Sequence, residues 1–209
     1  DELSPEAQLI GAVNTVLNDN GKLIGYNTDG YGFMQSVRDA GHDITGKNIT
    51  VMGVGGASMA ICAQSALDGA ASVHIFARHT SRYWNRTQKF AENLSAKTGC
   101  QVCLFDNDDH TALRDSIAQS YLLINATSVG MVPDIDDTII KDTSLFHPEL
   151  VVADVVYEPQ ETRLLREAKA AGCQTFNGMY MLLHQGAKAF QIWTGQEMPV
   201  FKEKYFSVK

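Results

Sequence analysis

The sequence predicts an α/β fold, a doubly wound parallel sheet, because two kinds of segment alternate along it. Short runs that are apolar at nearly every position are separated by longer segments with helical spacing. Parallel strands need long crossover connections, which are usually helices. Strands that have no polar face belong in a sheet covered on both sides. The predicted strands are Asn48–Gly53, Ser72–Ala77, Gln101–Phe105, Tyr121–Asn125 and Leu150–Val155.

Helices are predicted between these strands, and shorter elements at both ends of the chain. The Asn20-Gly21 pair is typical of a tight hairpin turn and predicts that Ala12–Leu17 pairs with Lys22–Tyr26. A short strand over Gln174–Asn177 precedes a last helix that a glycine ends. The predicted helices are Thr28–Ala40, Ala57–Asp68, Trp84–Lys97, Thr111–Ser120 and Met181–Trp193.

Composition and charge argue against several classes of function. The chain carries 17 basic and 24 acidic side chains, a net charge of −7, so we expect no nucleic acid partner. No apolar stretch approaches the roughly 18 residues of a membrane helix, so we expect no membrane partner. The pair Cys100 and Cys103 would lie on a strand and point to opposite faces, which disfavours a metal site. Four cysteines without a disulfide pattern predict a reducing, cytoplasmic location.

A glycine-rich turn follows the first strand of the predicted parallel sheet. It reads Gly53-Val-Gly-Gly-Ala-Ser58 and leads directly into a helix. Glycines allow a tight turn and a close approach of the backbone to a pyrophosphate, and the helix N-terminus offers free N–H groups. Glycines also make plain strand-to-helix turns, but this position predicts a dinucleotide site.

The end of the second strand indicates which dinucleotide is preferred. Enzymes that use NAD usually carry an acidic residue there to hold the ribose hydroxyls. This chain has none, and Arg78, Thr80 and Arg82 are placed to bind a 2′-phosphate. The pattern therefore predicts NADP as the preferred cofactor, with NAD as the second choice. The alternative is that these cations are only solvated.

A polar cluster, Asn27-Thr28-Asp29-Gly30, begins the first long helix. Thr28 or Asp29 would cap this helix well. With Asn14 on a neighbouring strand, the same residues could instead grip a polyhydroxy substrate, and Asp29 would then be half of an acid–base pair. Spacing alone does not choose between the two interpretations.

Several segments, taken in this order, resemble the shikimate dehydrogenase family, and most closely its quinate/shikimate dehydrogenase branch. The matching segments span nearly the whole chain. They are GAVNT at 11–15, GYNTDGYGF at 25–33, GVGGAS at 53–58, NATSVGM at 125–131, DVVYEPQETRLL at 154–165, and MLLHQGAKAF with WTG at 181–190 and 193–195.

The resemblance implies reversible, NAD(P)-dependent oxidation of a ring hydroxyl of shikimate or quinate by a monomer or homodimer. It implies a remnant of a substrate domain over residues 1–28, a Rossmann-type NAD(P)-binding domain over 29–177, and a helical segment over 178–209 that returns to the substrate domain. Asp29 matches the catalytic aspartate of the family, and Asn14, Gln185 and Tyr157 match residues near the substrate. The cofactor positions are Gly53, Gly55, Gly56, Ala57, Ser58, Arg78, Thr80, Arg82, Thr127, Ser128, Val129, Met131, Tyr157 and Gly178.

Two departures from the family pattern qualify this expectation. The SxS motif and the NVTxPxK motif, which carries the lysine paired with the aspartate, do not occur in the 209 residues. We therefore expect little activity from these residues alone, and a catalytically incomplete dinucleotide binder is one alternative. Another two-lobed dehydrogenase, of the methylene-tetrahydrofolate type, is a second alternative. The other departure is Tyr180, which stands where the family usually has glycine.

Overall fold

The structure is a computed structural model that describes residues 1–199. Residues 200–209 of the predicted C-terminal segment lie outside the described part. The strands are β1 (Glu2–Leu3), β2 (Thr15–Asp19), β3 (Lys22–Tyr26), β4 (Asn48–Met52), β5 (Ser72–Ala77), β6 (Gln101–Asp106), β7 (Leu122–Asn125), β8 (Val151–Asp154) and β9 (Gln174–Phe176). The helices are α1 (Pro5–Ile10), α2 (Asp29–Asp39), α3 (Gly56–Leu67), α4 (Trp84–Thr98), α5 (His110–Gln119), α6 (Arg163–Ala170) and α7 (Met179–Thr194), with a 3₁₀ turn over Thr143–Leu145.

The larger sheet has six parallel strands in the order β6-β5-β4-β7-β8-β9, which confirms the predicted fold class. Both of its faces are covered. Neighbouring residues of β7 show this, because Leu122 packs into one buried cluster and Leu123 into the other. From β4 the chain adds β5 and β6 on one side of the sheet, then returns to add β7, β8 and β9 on the other side. The strand order therefore reverses between β4 and β7. Ligands of such sheets bind at this reversal, beyond the carboxyl ends of the strands.

The smaller sheet has three strands in the order β1-β3-β2. The predicted hairpin between β2 and β3 is present, and its turn residues Asn20 and Gly21 have φ angles of 51° and 96°. An Asn-Gly pair tolerates this left-handed geometry. The Trp193 indole donates to the Val16 carbonyl at 2.9 Å, so the last helix contacts this sheet.

Helix α2 lies between α3 and α7 because two of its residues have no side chain. A Cβ on Gly30 would overlap the Ala60 carbonyl of α3. A Cβ on Gly32 would lie 2.7 Å from both the Gln185 amide nitrogen and the Met181 carbonyl of α7. Neither packing role was predicted from the sequence. Their absent side chains bring three helix backbones into close contact.

Two helices were not predicted, and some strand ends differ. The short α1 begins at Ser4, whose hydroxyl accepts from the Ala7 amide, and has proline at its first position. The amphipathic α6 begins at Thr162, whose hydroxyl accepts from the Leu165 amide. Both caps are local signals that sequence reasoning could have used. β2 begins at Thr15, three residues later than predicted, because the preceding residues bend towards the head of α2.

Two further findings concern expectations about membranes and thiols. Among residues 1–199, no helix is long and apolar enough to span a bilayer. All four cysteines are free thiols, and burial raises the pKa of Cys62 to about 12 and that of Cys100 to about 11. Cys100 is buried immediately before β6 and does not lie on the strand as expected, whereas Cys103 is partly exposed on it.

Candidate active site

The glycine turn joins β4 to α3 at the reversal point of the larger sheet. Gly53 has a φ of +111°, and a Cβ there would lie 2.8 Å from the Thr127 methyl carbon and 2.9 Å from the Ala126 carbonyl. Glycine is thus required for this turn to approach the loop after β7. The Gly53 amide donates to the Phe76 carbonyl of β5 at 2.8 Å, which fixes the start of the turn.

The middle of the turn is open towards solvent. A Cβ on Gly55 or Gly56 would meet no atom within 4 Å, and both residues are exposed. Gly55 is the N-cap of α3, and no side chain caps this helix end. The turn therefore forms a cradle in which backbone N–H groups and the positive end of the helix dipole face an open space.

The last two residues of the motif, Ala57 and Ser58, hold the turn against the protein core. Ser58 is fully buried, and its hydroxyl donates to the Gly53 carbonyl at 2.6 Å. Ala57 is partly buried and packs against the larger core cluster. The Ser58 hydroxyl is therefore engaged inside the turn, so this residue holds the cradle in shape.

A wide cleft of about 900 Å³ lies beside this cradle, beyond the ends of β4, β5 and β7. The residues predicted to bind a 2′-phosphate, Arg78, Thr80 and Arg82, line this cleft. All three are exposed to solvent. The Arg82 guanidinium stacks on the Tyr83 ring at 4.7 Å and donates to the Tyr83 hydroxyl at 2.6 Å. The other lining residues are Gly53, Val54, Gly55, Ala77, Ser81, Tyr83, Asn107, Ala126, Thr127, Ser128, Val129 and Ile139.

An acidic residue that sequence reasoning missed lies next to this loop. Asp106 is the last residue of β6 and pairs with Ala77, the last residue of β5. Its carboxylate accepts from the His79 amide at 3.3 Å and from the Asp108 amide at 3.2 Å. The signal was present in the sequence, because parallel neighbouring strands end at the same edge. The loop that carries Arg78 and Arg82 therefore has a carboxylate beside it as well as its two arginines.

A second, narrow cleft of about 400 Å³ continues from the wide one, since Thr127 and Ser128 line both. Tyr157 and Met131 lie on it and are exposed by 43% and 45%. Val129 is partly buried and donates its amide to the Thr127 hydroxyl at 3.1 Å. The remaining lining residues are Val132, Val155, Val156 and Glu158.

Gly178 closes one side of this region. A Cβ there would overlap the Val155 carbonyl, so glycine lets the start of α7 pack against the strand end beside the narrow cleft. Gly178 thus shapes the cleft through packing. Tyr180 follows in the first turn of α7, is partly buried, and lies with its ring 6.5 Å from that of His184.

The polar cluster forms at the head of α2. The Asn14 side-chain amide donates to the Asp29 carboxylate at 2.9 Å and to the Thr28 hydroxyl at 3.1 Å. The Thr28 amide donates back to the Asn14 oxygen at 3.0 Å. The Thr28 side chain makes no capping bond to α2, and the Asp29 amide instead donates to the Asn27 oxygen at 3.1 Å. Thr28 is the N-cap residue of α2 by position, but its side chain makes no capping bond. The side-chain capping interpretation is therefore wrong, because Asn14 binds the side chains of both Thr28 and Asp29.

Burial makes Asp29 a stronger base than a solvated carboxylate. Desolvation raises its pKa, and the hydrogen bond from Asn14 lowers it by less. A raised pKa brings a carboxylate closer to the range useful for proton transfer. Asp29 and Asn14 were both predicted, and the structure brings them into direct contact.

Gln185 lies on the neighbouring helix. Its backbone is the group that Gly32 approaches, one turn along α2 from Asp29, and its side chain is partly buried. The adjacent His184 is buried, and its ring nitrogen lies 2.6 Å from the Asp39 carboxylate at the other end of α2. These two contacts show that α7 lies alongside α2, with Gln185 next to Gly32.

Known proteins share this architecture. Residues 178–200 match the family model for the shikimate 5′-dehydrogenase C-terminal domain. The chain is 52% identical over 200 residues to a shikimate dehydrogenase (NADP(+)) of Listeria innocua, which covers 96% of this chain and 68% of that protein. It is 42% identical over 200 residues to a quinate/shikimate dehydrogenase of Escherichia coli, covering 96% of this chain and 69% of that one.

The likeness extends to three dimensions. A crystal structure of shikimate 5-dehydrogenase from Listeria monocytogenes, in complex with shikimate and NAD, superposes with a TM-score of 0.92. That protein is 51% identical, and the match covers 95% of this chain and 68% of that chain. Identity at this level over nearly all of its length shows that the chain belongs to the shikimate dehydrogenase family.

Proposed function

We propose that the protein is an NAD(P)-dependent oxidoreductase that interconverts shikimate, or quinate, and the corresponding 3-dehydro compound. One observation carries the proposal above the others. The Asn14–Asp29 pair, with its partly buried carboxylate, stands at the head of a helix that packs directly against α3, the helix of the glycine cradle. A proton-accepting group and a dinucleotide cradle on adjoining helices are what oxidation of a hydroxyl requires.

The residues present fit a dinucleotide. A Cβ at Gly55 or Gly56 would enter open space, and the uncapped end of α3 would receive the pyrophosphate there. Arg78 and Arg82 would hold a 2′-phosphate in the wide cleft, and Tyr157 would lie near the nicotinamide in the narrow one. When bound, the nicotinamide supplies the hydride acceptor.

The chain itself would bind the sugar-like ring and move the proton. Asn14 and Gln185 would donate to ring hydroxyls, and Asp29 would accept the proton of the hydroxyl that is oxidised. The Asn14 amide, already bonded to the Asp29 carboxylate, keeps that carboxylate oriented. A lysine, which the family resemblance leads us to expect as the partner of this aspartate, would be the other half of the acid–base pair.

The organisation of the whole molecule is part of the proposal. Residues 1–28 and the α7 segment would belong to a substrate lobe, with residues 29–177 as the cofactor domain. The bond from Trp193 to Val16 supports this, because it joins the two ends of the chain. Four free cysteines support a cytoplasmic location, and the oligomeric state would be a monomer or a homodimer.

The test is the oxidation of shikimate and of quinate with NADP⁺, using the protein expressed from its complete reading frame. Asp29→Asn should lower kcat by about 10²–10⁴-fold, because an amide cannot accept a proton, while NADP⁺ affinity stays unchanged. Asp115→Asn is the matched control, since Asp115 is exposed on α5, on the opposite face of the larger sheet.

Two outcomes would contradict the proposal. Normal turnover by Asp29→Asn would remove the acid–base role of Asp29. NADP⁺ binding without oxidation of either compound would favour a dinucleotide-binding protein that catalyses nothing.

A further inference from the structure

A buried carboxylate connects the two loops that form the narrow cleft. Asp154, the last residue of β8, is fully buried and lines neither cleft. One of its oxygens, Oδ1, accepts from the Asn125 side-chain amide at 3.0 Å and from the Val156 backbone amide at 3.0 Å. Its other oxygen, Oδ2, accepts from the Thr162 hydroxyl at 2.7 Å. Three donors therefore converge on one carboxylate, and the proposed mechanism does not use it.

The first connection leads into the loop after β7. Asn125 also donates from its side-chain nitrogen to the Val129 carbonyl at 3.1 Å. Its oxygen accepts from the Thr127 hydroxyl at 2.6 Å and from the Thr127 amide at 3.1 Å. Thr127 in turn lines both clefts. The Asn125 side chain is thus the link by which Asp154 determines the path of this loop.

The second connection leads into the loop after β8. Val156, whose amide binds Asp154 Oδ1, lines the narrow cleft next to Tyr157. The same oxygen therefore bonds to a residue behind each wall of the cleft: to Asn125, which holds Thr127 on one wall, and to Val156 on the other. Oδ2 serves a different element, because Thr162 is the N-cap of α6.

The charge state of Asp154 fits its three donors. Burial raises the pKa of this carboxyl to about 6, against the hydrogen bonds from Val156, Thr162 and Asn125, which lower it. A carboxylate that only accepts matches three partners that all donate. An apolar or smaller side chain would leave the buried donors unpaired.

We propose that Asp154 is a positioning residue for the nicotinamide end of the cofactor, because Oδ1 holds both walls of the narrow cleft in their binding geometry before the cofactor arrives. The inference rests on the proposed function, since it assumes a dinucleotide in the two clefts. Oδ2 contributes to the stability of the fold and not to this positioning.

The experiment measures the NADP⁺ dissociation constant of three variants by fluorescence titration, beside their stability in urea. Asp154→Ala removes both acceptors and should weaken NADP⁺ binding at least tenfold. Asp154→Asn can keep an oxygen at the Oδ1 position and turn its nitrogen towards Thr162, so its affinity should stay within about threefold of wild type.

Thr162→Val is the control for a purely structural effect. The substitution keeps the shape that packs near Gly130 and removes only the hydroxyl at Oδ2. Its stability should fall while its NADP⁺ affinity stays within about threefold. Affinity that follows stability across all three variants would overturn the proposal, and so would unchanged binding by Asp154→Ala. A wild-type protein that does not bind NADP⁺ would instead refute the proposed function itself.

Hydrogen exchange of the wild type provides a test even where Asp154→Ala does not fold. If Oδ1 holds the loop in advance, the Val156 amide should be protected from exchange in the cofactor-free protein. Rapid exchange that slows only after NADP⁺ is added would show that the loop is not positioned beforehand, and would overturn the inference.

Discussion

Replacing Gly32 by alanine tests how closely α2 and α7 must approach for the substrate site to form. The new Cβ would lie 2.7 Å from the Gln185 amide nitrogen and from the Met181 carbonyl, which are both backbone atoms. The two helices would have to separate by about 0.7 Å to reach the 3.4 Å at which ordinary contact begins. Gln185 would move away from Asp29 with its helix.

Two opposing contributions determine the change in stability. Overpacking of this kind costs about 1–3 kcal/mol. Alanine regains about 1 kcal/mol over glycine inside a helix. We therefore expect Gly32→Ala to lower the free energy of unfolding by up to about 2 kcal/mol, and to raise the KM for shikimate more than it lowers kcat.

Gly186→Ala is the matched control, because Gly186 lies on α7 and a Cβ there meets no atom within 4 Å. This variant should be more stable than wild type by about 0.5–1 kcal/mol and should keep its KM. Urea unfolding and initial-rate kinetics on the same preparations supply both numbers. Equal stability of Gly32→Ala and Gly186→Ala would refute the close-packing argument.

Three more predictions concern the cofactor site and the buried carboxylate. Gly55→Asp should abolish NADP⁺ binding in a titration, because a carboxylate would fill the cradle and repel the pyrophosphate; Gly55 has no neighbour to disturb, so the fold should survive. The double variant Arg78→Ala, Arg82→Ala should lose roughly tenfold to hundredfold in NADP⁺ affinity and keep its NAD⁺ affinity, and a wild type that prefers NAD⁺ would contradict this assignment. Asp154 has a native pKa of about 6, above that of an unfolded chain, so the native state binds more protons between about pH 4 and 6. The free energy of unfolding should therefore fall by up to about 3 kcal/mol as pH rises through this window, and urea unfolding of Asp154→Asn should lack that slope.

Local signals in the sequence determine much of this fold. The apolar runs of β5 and β3 end where predicted, because strand propensity and the flanking turns coincide there. The Asn20-Gly21 turn forms, since few other residue pairs accept two positive φ angles. The cradle at residues 53–58 lies after the first strand of the larger sheet, as its glycines predicted. These features depend on residues adjacent in the chain.

The arrangement of the site depends on residues that are distant in the chain. The sequence offered a cap or a catalytic cluster for Thr28 and Asp29, and only the approach of Asn14, which immediately precedes β2, distinguishes the two. Asp106 affects the loop of Arg78 because β6 pairs with β5. The residues adjacent to a side chain in the sequence do not predict which hydrogen-bond donors or charges distant residues will bring against it in the folded protein.

The buried groups show the same division most clearly. Asp154 appears in the sequence as the end of an apolar strand, and Gly32 as one glycine among 17. Their roles follow from desolvation and from the separation of backbones, which exist only once β7, β8, α2 and α7 are assembled. The family, the sheet and the candidate residues can be inferred from the amino-acid sequence. Which of these residues touch depends on the assembled fold, because burial and contact are properties of packed elements and not of the segments that compose them.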